Sequence, residues 1–145
     1  MAVAAFDHVA IPSERFEEMI AFYKRLGFGI VGEAEWRSGA APIVSVQFGA
    51  NKINLHPPAL WQRASFTLRG PAARPGCGDF CFVWDGDVAS ITALLAEAKA
   101  PIEIGPVPRQ GGRNGGTAVG TSVYTRDPDQ NLLEFIVYPA AREQA

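Results

Sequence analysis

The chain is poor in the residues that build several kinds of site. It has two cysteines, Cys77 and Cys81, among 145 residues. Two cysteines make no disulfide framework, and their C-x-x-x-C spacing is not the usual zinc spacing. Charge of either sign is modest: 13 Lys+Arg against 15 Asp+Glu leave a formal net charge of -2. No basic excess pulls the chain toward nucleic acid or an anionic membrane. Long apolar runs are missing, so nothing reaches the ~18–20 residues a bilayer-crossing helix needs. The first residues, MAVAAFDHVAIP, lack a basic flank and meet Asp7 and His8 too early for a signal peptide. Histidine is scarce as well, with two in the whole chain. With 48% apolar residues the chain is not disordered and can bury the core of a single domain. The composition therefore predicts a soluble, cytoplasmic protein. What it has in plenty is 15 Gly and 11 Pro, which imply many turns.

The periodicities predict alternating short elements. Residues 6–11 alternate as a strand, and Ser13 stands where a helix N-cap belongs. Phe16, Met19, Ile20, Tyr23 and Leu26 recur at helical spacing, with Gly27 as the stop. Residues 30–37 read as a strand with a polar face. Residues 43–48 and 53–56 read as a hairpin about Gly49 to Lys52. Residues 57–78 break the pattern with Pro and Gly and read as a connector. The pattern then restarts: a strand at 79–84, a helix marked by Val88, Ile91, Leu94, Leu95 and Ala98, and a strand at 102–104. A Gly-rich loop at 109–120 follows, then strands at 122–126 and 132–138 about a turn at Asp127–Gln130.

This is an internal repeat. The expected fold is α+β: two tandem βαβββ modules, at about 4–56 and 79–138, in one domain spanning 1–145. Two such small sheets cannot each bury both faces, so they are expected to pair into a curved mixed sheet around a cleft. Asp79 stands 71 residues after His8, and Glu134 stands 78 after His56. On that spacing His8, His56 and Glu134 occupy equivalent ends of the modules. Two imidazoles and a carboxylate are a ligand set for a divalent ion such as Fe2+, Mn2+, Ni2+ or Zn2+. Taken singly, each histidine is also compatible with an ordinary half-buried position. Glu134, between Leu133 and Phe135, faces either solvent or a polar cleft.

Ser122, Tyr124 and Arg126 share a parity on one strand, either toward a substrate or toward solvent. Arg109, Arg113 and Asn114 sit in the Gly-rich loop, where an arginine can meet an anion; a plain surface loop is the bland alternative. Trp36, Phe48, Trp61 and Phe66 line an apolar pocket or belong to the core. Cys81 alternates with Phe80 and Phe82 and is expected to be small and buried. No Ser-His-Asp or Cys-His nucleophile set can be assembled without using the histidines of the proposed metal site.

Several stretches carry a specific resemblance: D-H-V-A-I-P at Asp7–Pro12, F-Y-K-R-L-G-F at Phe22–Phe28 and F-G-A-N-K-I-N-L-H at Phe48–His56. The second half adds G-P-V-P-R at Gly105–Arg109 and R-D-P-D-Q-N-L-L-E-F at Arg126–Phe135. Over nearly its whole length the chain resembles the vicinal oxygen chelate superfamily of glyoxalases, bleomycin-resistance proteins and extradiol dioxygenases. It most resembles the branch of glyoxalase-domain-containing and virulence-associated small proteins, some of them dioxygenase-like. The resemblance implies metal ligands at His8, His56, Asp79 and Glu134. Asp79 departs from the histidine common there, and it is either a ligand or a carboxylate supporting one. It also implies Glu134 or Asp79 as a catalytic base, and a homodimer. Tyr124, Arg109, Arg126 and Ser122 are the expected contacts of a small-molecule substrate. The activity implied is dioxygenase-like. A glyoxalase-like lyase or isomerase, an epimerase, a drug-sequestering binder and a fosfomycin-type transferase are the alternatives. The transferase would need a strongly cationic pocket, of which Arg109, Arg113 and Arg126 supply part.

Overall fold

The structure is a computed structural model, and it describes residues 1–140. The chain divides into two compact units. The first comprises residues 1–78 with Pro128–Gln130, and the second comprises Asp79–Asp127 with residues 131–140.

The first unit runs β1 (His8–Pro12), α1 (Phe16–Arg25), β2 (Gly29–Val31), α2 (Glu33–Arg37), β3 (Val44–Phe48), β4 (Asn51–His56) and α3 (Pro58–Trp61). Its sheet is mixed, in the order β1-β4-β3-β2, with β1 parallel to β4 and the other pairs antiparallel. The period-2 pattern separates two faces. Ile11, Val44, Val46, Ile53 and Leu55 lie on one face and are buried, as are Met19, Ile20 and Tyr23 of α1. These residues form the core of the unit. His8, Ala10, Ser45, Gln47, Lys52, Asn54 and His56 lie on the other face. The first helix stops where expected: Gly27 has φ +86°, a left-handed conformation that costs a Cβ-free residue little. The backbone N–H groups of Gly27 and Phe28 bond back to Lys24 and Tyr23.

The second unit repeats the order: β5 (Asp79–Val83), α4 (Val88–Glu97), β6 (Ile104–Gln110), α5 (Arg113–Gly116), β7 (Val119–Arg126) and β8 (Leu132–Val137). Its sheet has the same topology, β5-β8-β7-β6, with β5 parallel to β8. Phe82, Val123, Leu133 and Phe135 are buried on one face, and Ile91 and Leu95 of α4 are fully buried too. The βαβββ repeat is thus present twice.

Four local expectations are corrected. Residues 33–37 form a helical turn and not the end of a strand, because Arg37 bonds Glu33 one turn earlier and also reaches Glu17. Trp36 then packs on Phe16, with ring centroids 4.6 Å apart. Ser13 does not cap the first helix. It is fully buried, and its hydroxyl donates to Asp129 at 2.6 Å. The same Asp129 carboxylate accepts from the backbone N–H groups of Glu14 and Arg15, so a residue 114 positions away satisfies the helix start. The Gly-rich segment 109–120 is mostly ordered: β6 extends to Gln110, and a short turn precedes β7 at Val119. The strand expected at 102–104 correspondingly begins only at Ile104.

Candidate functional site

The polar face of each unit carries the candidate side chains. On the first unit, β1 and β4 run side by side in the register His8 with Lys52, Ala10 with Asn54, and Pro12 with His56. His8 and His56 therefore lie at opposite ends of the ladder, four residues apart, or about 13 Å at the usual strand rise. Within this ladder the two imidazoles do not meet. On the second unit, Asp79 pairs with Leu132 and Cys81 with Glu134. Glu134 thus stands opposite the residue two after Asp79. The same step in the first unit, two after His8, leads to Asn54. Asn54, and not His56, is the register counterpart of Glu134. Its amide oxygen accepts from the Ser45 hydroxyl at 2.8 Å.

His8 opens β1 and is exposed. Its Nδ1 lies 2.6 Å from the Asp7 carboxylate. An ionised carboxylate only accepts, so Nδ1 carries a proton, and the neutral ring then has its lone pair at Nε2. That is the orientation found in metal-ligating histidines backed by a carboxylate.

Glu134 is half-buried at the centre of the second unit's polar face. The Ser122 hydroxyl donates to its Oε2 at 2.6 Å. Ser122 is fully buried. It holds this carboxylate in place. Tyr124 pairs directly across from Glu134. The guanidinium of Arg109 lies over the Tyr124 ring, 5.6 Å from its centroid, and its Nε donates to the phenol oxygen at 3.0 Å. The tyrosine oxygen is therefore an acceptor from Arg109, which leaves its own proton for the Glu134 carboxylate. Burial raises the Tyr124 phenol, opposed by the Arg109 hydrogen bond. Arg126 lies on the same parity but is ion-paired with Glu103 at 3.2 Å. Its charge is already answered.

Cys81 corrects another expectation, because it is exposed and not buried. Strand pairing in register puts its thiol on the face of Asp79 and Glu134. Desolvation, then the Glu134 and Asp79 carboxylates, push the thiol up to about 12. The alternation of Phe80-Cys81-Phe82 sets Cys81 on the face opposite the two rings, and the register with β8 brings it beside Glu134.

His56, at the end of β4, is buried beside the connector and meets Phe66 edge-on, ring centroids 5.3 Å apart. Burial, then the Arg69 charge, hold it below the ordinary histidine range. Among the described residues no three His, Cys, Asp or Glu side chains are grouped to hold a metal ion. Among the described residues no helix is long and apolar enough to cross a membrane.

Comparisons with known proteins place this geometry. Residues 5–135 match the family model of the Glyoxalase/Bleomycin resistance protein/Dioxygenase superfamily. The chain is 33% identical over 144 residues to the glyoxalase domain-containing protein RDO1 of Mycosarcoma maydis, covering 98% of this chain and 73% of that protein. It is 32% identical over 139 residues to virulence protein STM3117 of Salmonella typhimurium, covering 95% and 87% of the two. The crystal structure of STM3117 superposes with a TM-score of 0.79, at 30% identity over 96% of this chain and 100% of that one. An integron cassette protein from the V. cholerae mobile metagenome superposes with the same TM-score, at 28% identity over 96% and 98%.

Proposed function

The chain belongs to the Glyoxalase/Bleomycin resistance protein/Dioxygenase superfamily, and from that premise we propose that it is a metal-dependent enzyme of the vicinal oxygen chelate type. The chemistry is dioxygenase-like, on a small substrate held through adjacent oxygens. The observation that supports this reading is Glu134: a carboxylate on an open polar face, fixed by a buried hydroxyl at 2.6 Å. A carboxylate so held keeps lone pairs for an ion or a proton.

The donor types fit a divalent ion. His8 offers a lone pair at Nε2 because Asp7 holds Nδ1, and Glu134 offers carboxylate oxygen. Asp79, exposed on the same face as Glu134, is the third donor or the base. An ion (Fe2+, Mn2+, Ni2+ or Zn2+) bound by these groups would stabilise negative charge on two neighbouring substrate oxygens. Tyr124 and Arg109 are the side chains that orient substrate on this face. The reading includes a homodimer, as the family resemblance implies.

Metal analysis of protein purified without chelator tests the proposal. About one ion per chain is expected, lost in His8→Ala and in Glu134→Gln and retained in His56→Gln. Oxygen uptake with a catechol separates dioxygenase-like chemistry from lyase, isomerase or epimerase chemistry, which consumes no O2. The family also holds bleomycin-resistance proteins, and a metal-free binder of that type is the second reading. That reading stands if no ion binds and neither variant changes metal content or stability.

A further inference from the structure

Two cavities of the first unit, of about 410 Å³ and about 300 Å³, meet at the same three residues, Trp36, Pro57 and Ala59. Together they make one groove bounded by the start of α1, by α2 and by α3. Trp36, Pro57, Pro58, Ala59 and Leu60 give it an apolar lining. A concave apolar surface of this size is ordinary for a binding site. The groove belongs to the first unit alone, and nothing in the proposed metal chemistry uses it.

Trp36 gives the groove its chemistry. The chain has three tryptophans. The indole N–H of Trp61 donates to the Ser13 carbonyl and that of Trp84 to the Ser90 hydroxyl, each at 2.9 Å. The Trp36 indole N–H has no acceptor among the described residues, and it is not buried. The ring is braced between Phe16 and the Arg37 guanidinium, which lies 5.2 Å from its centroid. Arg37 is itself bonded to Glu17 and Glu33, so the donor is in place before anything binds. The backbone carbonyls along the groove are already used. Those of Trp36, Pro57, Pro58 and Leu60 accept from the N–H groups of Gly39, Leu60, Gln62 and Arg63. Charge is unanswered at each end. In the larger cavity Arg15 pairs with Glu18 and Glu17 with Arg37, which leaves the exposed Glu14 without an ion pair among the described residues. In the smaller cavity the exposed Arg63 has no anionic partner among them.

A free donor, committed carbonyls and apolar walls suit an occupant that brings carbonyls and few N–H groups of its own. Most backbone carries a donor at every residue that must find a partner. Proline carries none. Proline-rich segments are also extended before they bind, and aromatic-lined grooves receive them at low entropic cost. We infer that this groove docks an extended proline-rich segment of a partner protein, with a basic residue at Glu14 and an acidic residue at Arg63. A carbonyl of the segment accepts from Trp36 Nε1, and its pyrrolidine rings pack on Trp36 and Pro57. This docking needs no metal ion and stands apart from the proposed catalysis.

Three tryptophans give three indole N–H resonances in the nitrogen-labelled full chain, and Trp36→Phe assigns one of them. The probe is the end-capped peptide Lys-Pro-Pro-Leu-Pro-Pro-Glu. Two control peptides replace every proline by alanine or exchange the lysine and the glutamate. Saturable movement of the Trp36 signal is expected with the probe, while the Trp61 and Trp84 signals stay in place. Trp36→Phe keeps a ring and removes the donor, and it should weaken binding about five- to tenfold, read at the backbone signals of Ala40 and Ala41. Glu14→Gln, a surface change, should weaken it about two- to fivefold. Both control peptides should bind more weakly than the probe. The inference is overturned if the probe leaves the Trp36 signal unmoved, or if either control peptide binds as tightly. It is also overturned if the probe has no effect and Trp36→Phe abolishes self-association seen by light scattering, because the groove would then be an interface between copies. The wild-type titration with the three peptides decides the matter by itself, so a poorly folded variant does not blunt the test.

Discussion

Individual side chains here take their chemistry from neighbours on adjacent strands. His56 is held below the ordinary histidine value of about 6.5 by burial and by the Arg69 charge. A depressed folded-state value means that the unfolded chain binds more protons between the two values. This contribution to stability is therefore full above pH about 6.5 and is lost as pH falls through the folded-state value. Urea denaturation across that range should show the loss in the wild type and its absence in His56→Gln; identical profiles would count against the assignment. Cys81 moves the other way, its thiolate opposed by desolvation and by Glu134 and Asp79. At mildly alkaline pH, iodoacetamide should modify Cys77 well before Cys81, although both are exposed. Glu134→Gln should speed labelling of Cys81, and mass mapping of the alkylated peptides would read it. Equal rates at the two sulfurs would remove the electrostatic argument.

At the scale of elements, the start of the first helix depends on a turn far along the chain. Asp129 accepts from the Ser13 hydroxyl at 2.6 Å and from two backbone N–H groups at 3.1 and 2.8 Å. Asp129→Ala would leave the buried Ser13 hydroxyl and the helix N–H groups without that acceptor. A loss of about 1–3 kcal/mol in chemical denaturation is expected; a loss under about 0.5 kcal/mol, typical of a surface change, would refute it. The two longest helices were legible in the chain: in the first, Phe16, Met19, Ile20 and Tyr23 at helical spacing are all buried. The cap was not, because Ser13 before an amphipathic run looks like a local N-cap until Asp129 is brought beside it. Residues 33–37 misled for a related reason. Their alternation suits a strand, but the Glu33–Arg37 pair and the packing of Trp36 on Phe16 favour a helical turn. Gly120 shows a third kind of constraint, since a Cβ there would meet the Ile136 side chain at 2.6 Å.

At the scale of the whole molecule, the proposed chemistry makes predictions about assembly. Light scattering is expected to show a homodimer. A bound ion stabilises the folded state by mass action, so removing it with a chelator should lower Tm for the wild type and leave Glu134→Gln unmoved. A monomer with chelator-insensitive Tm would favour the binder reading. The sequence by itself determined the repeated βαβββ order, the two buried sheet faces and the candidate residues His8, Asp79, Tyr124 and Glu134. Period-2 and period-3.6 patterns are local, and hydrophobic burial enforces them wherever the chain folds. Tertiary structure alone decided which candidates share a place. It separated His56 from His8 by four residues of ladder, put Asn54 where Glu134 has its counterpart, and set Cys81 beside Glu134. It also made Ser122 a support for Glu134. Each of these depends on the register between strands distant in sequence. Hydrogen-bond pairing across the sheet sets that register, and the spacing along the chain does not encode it.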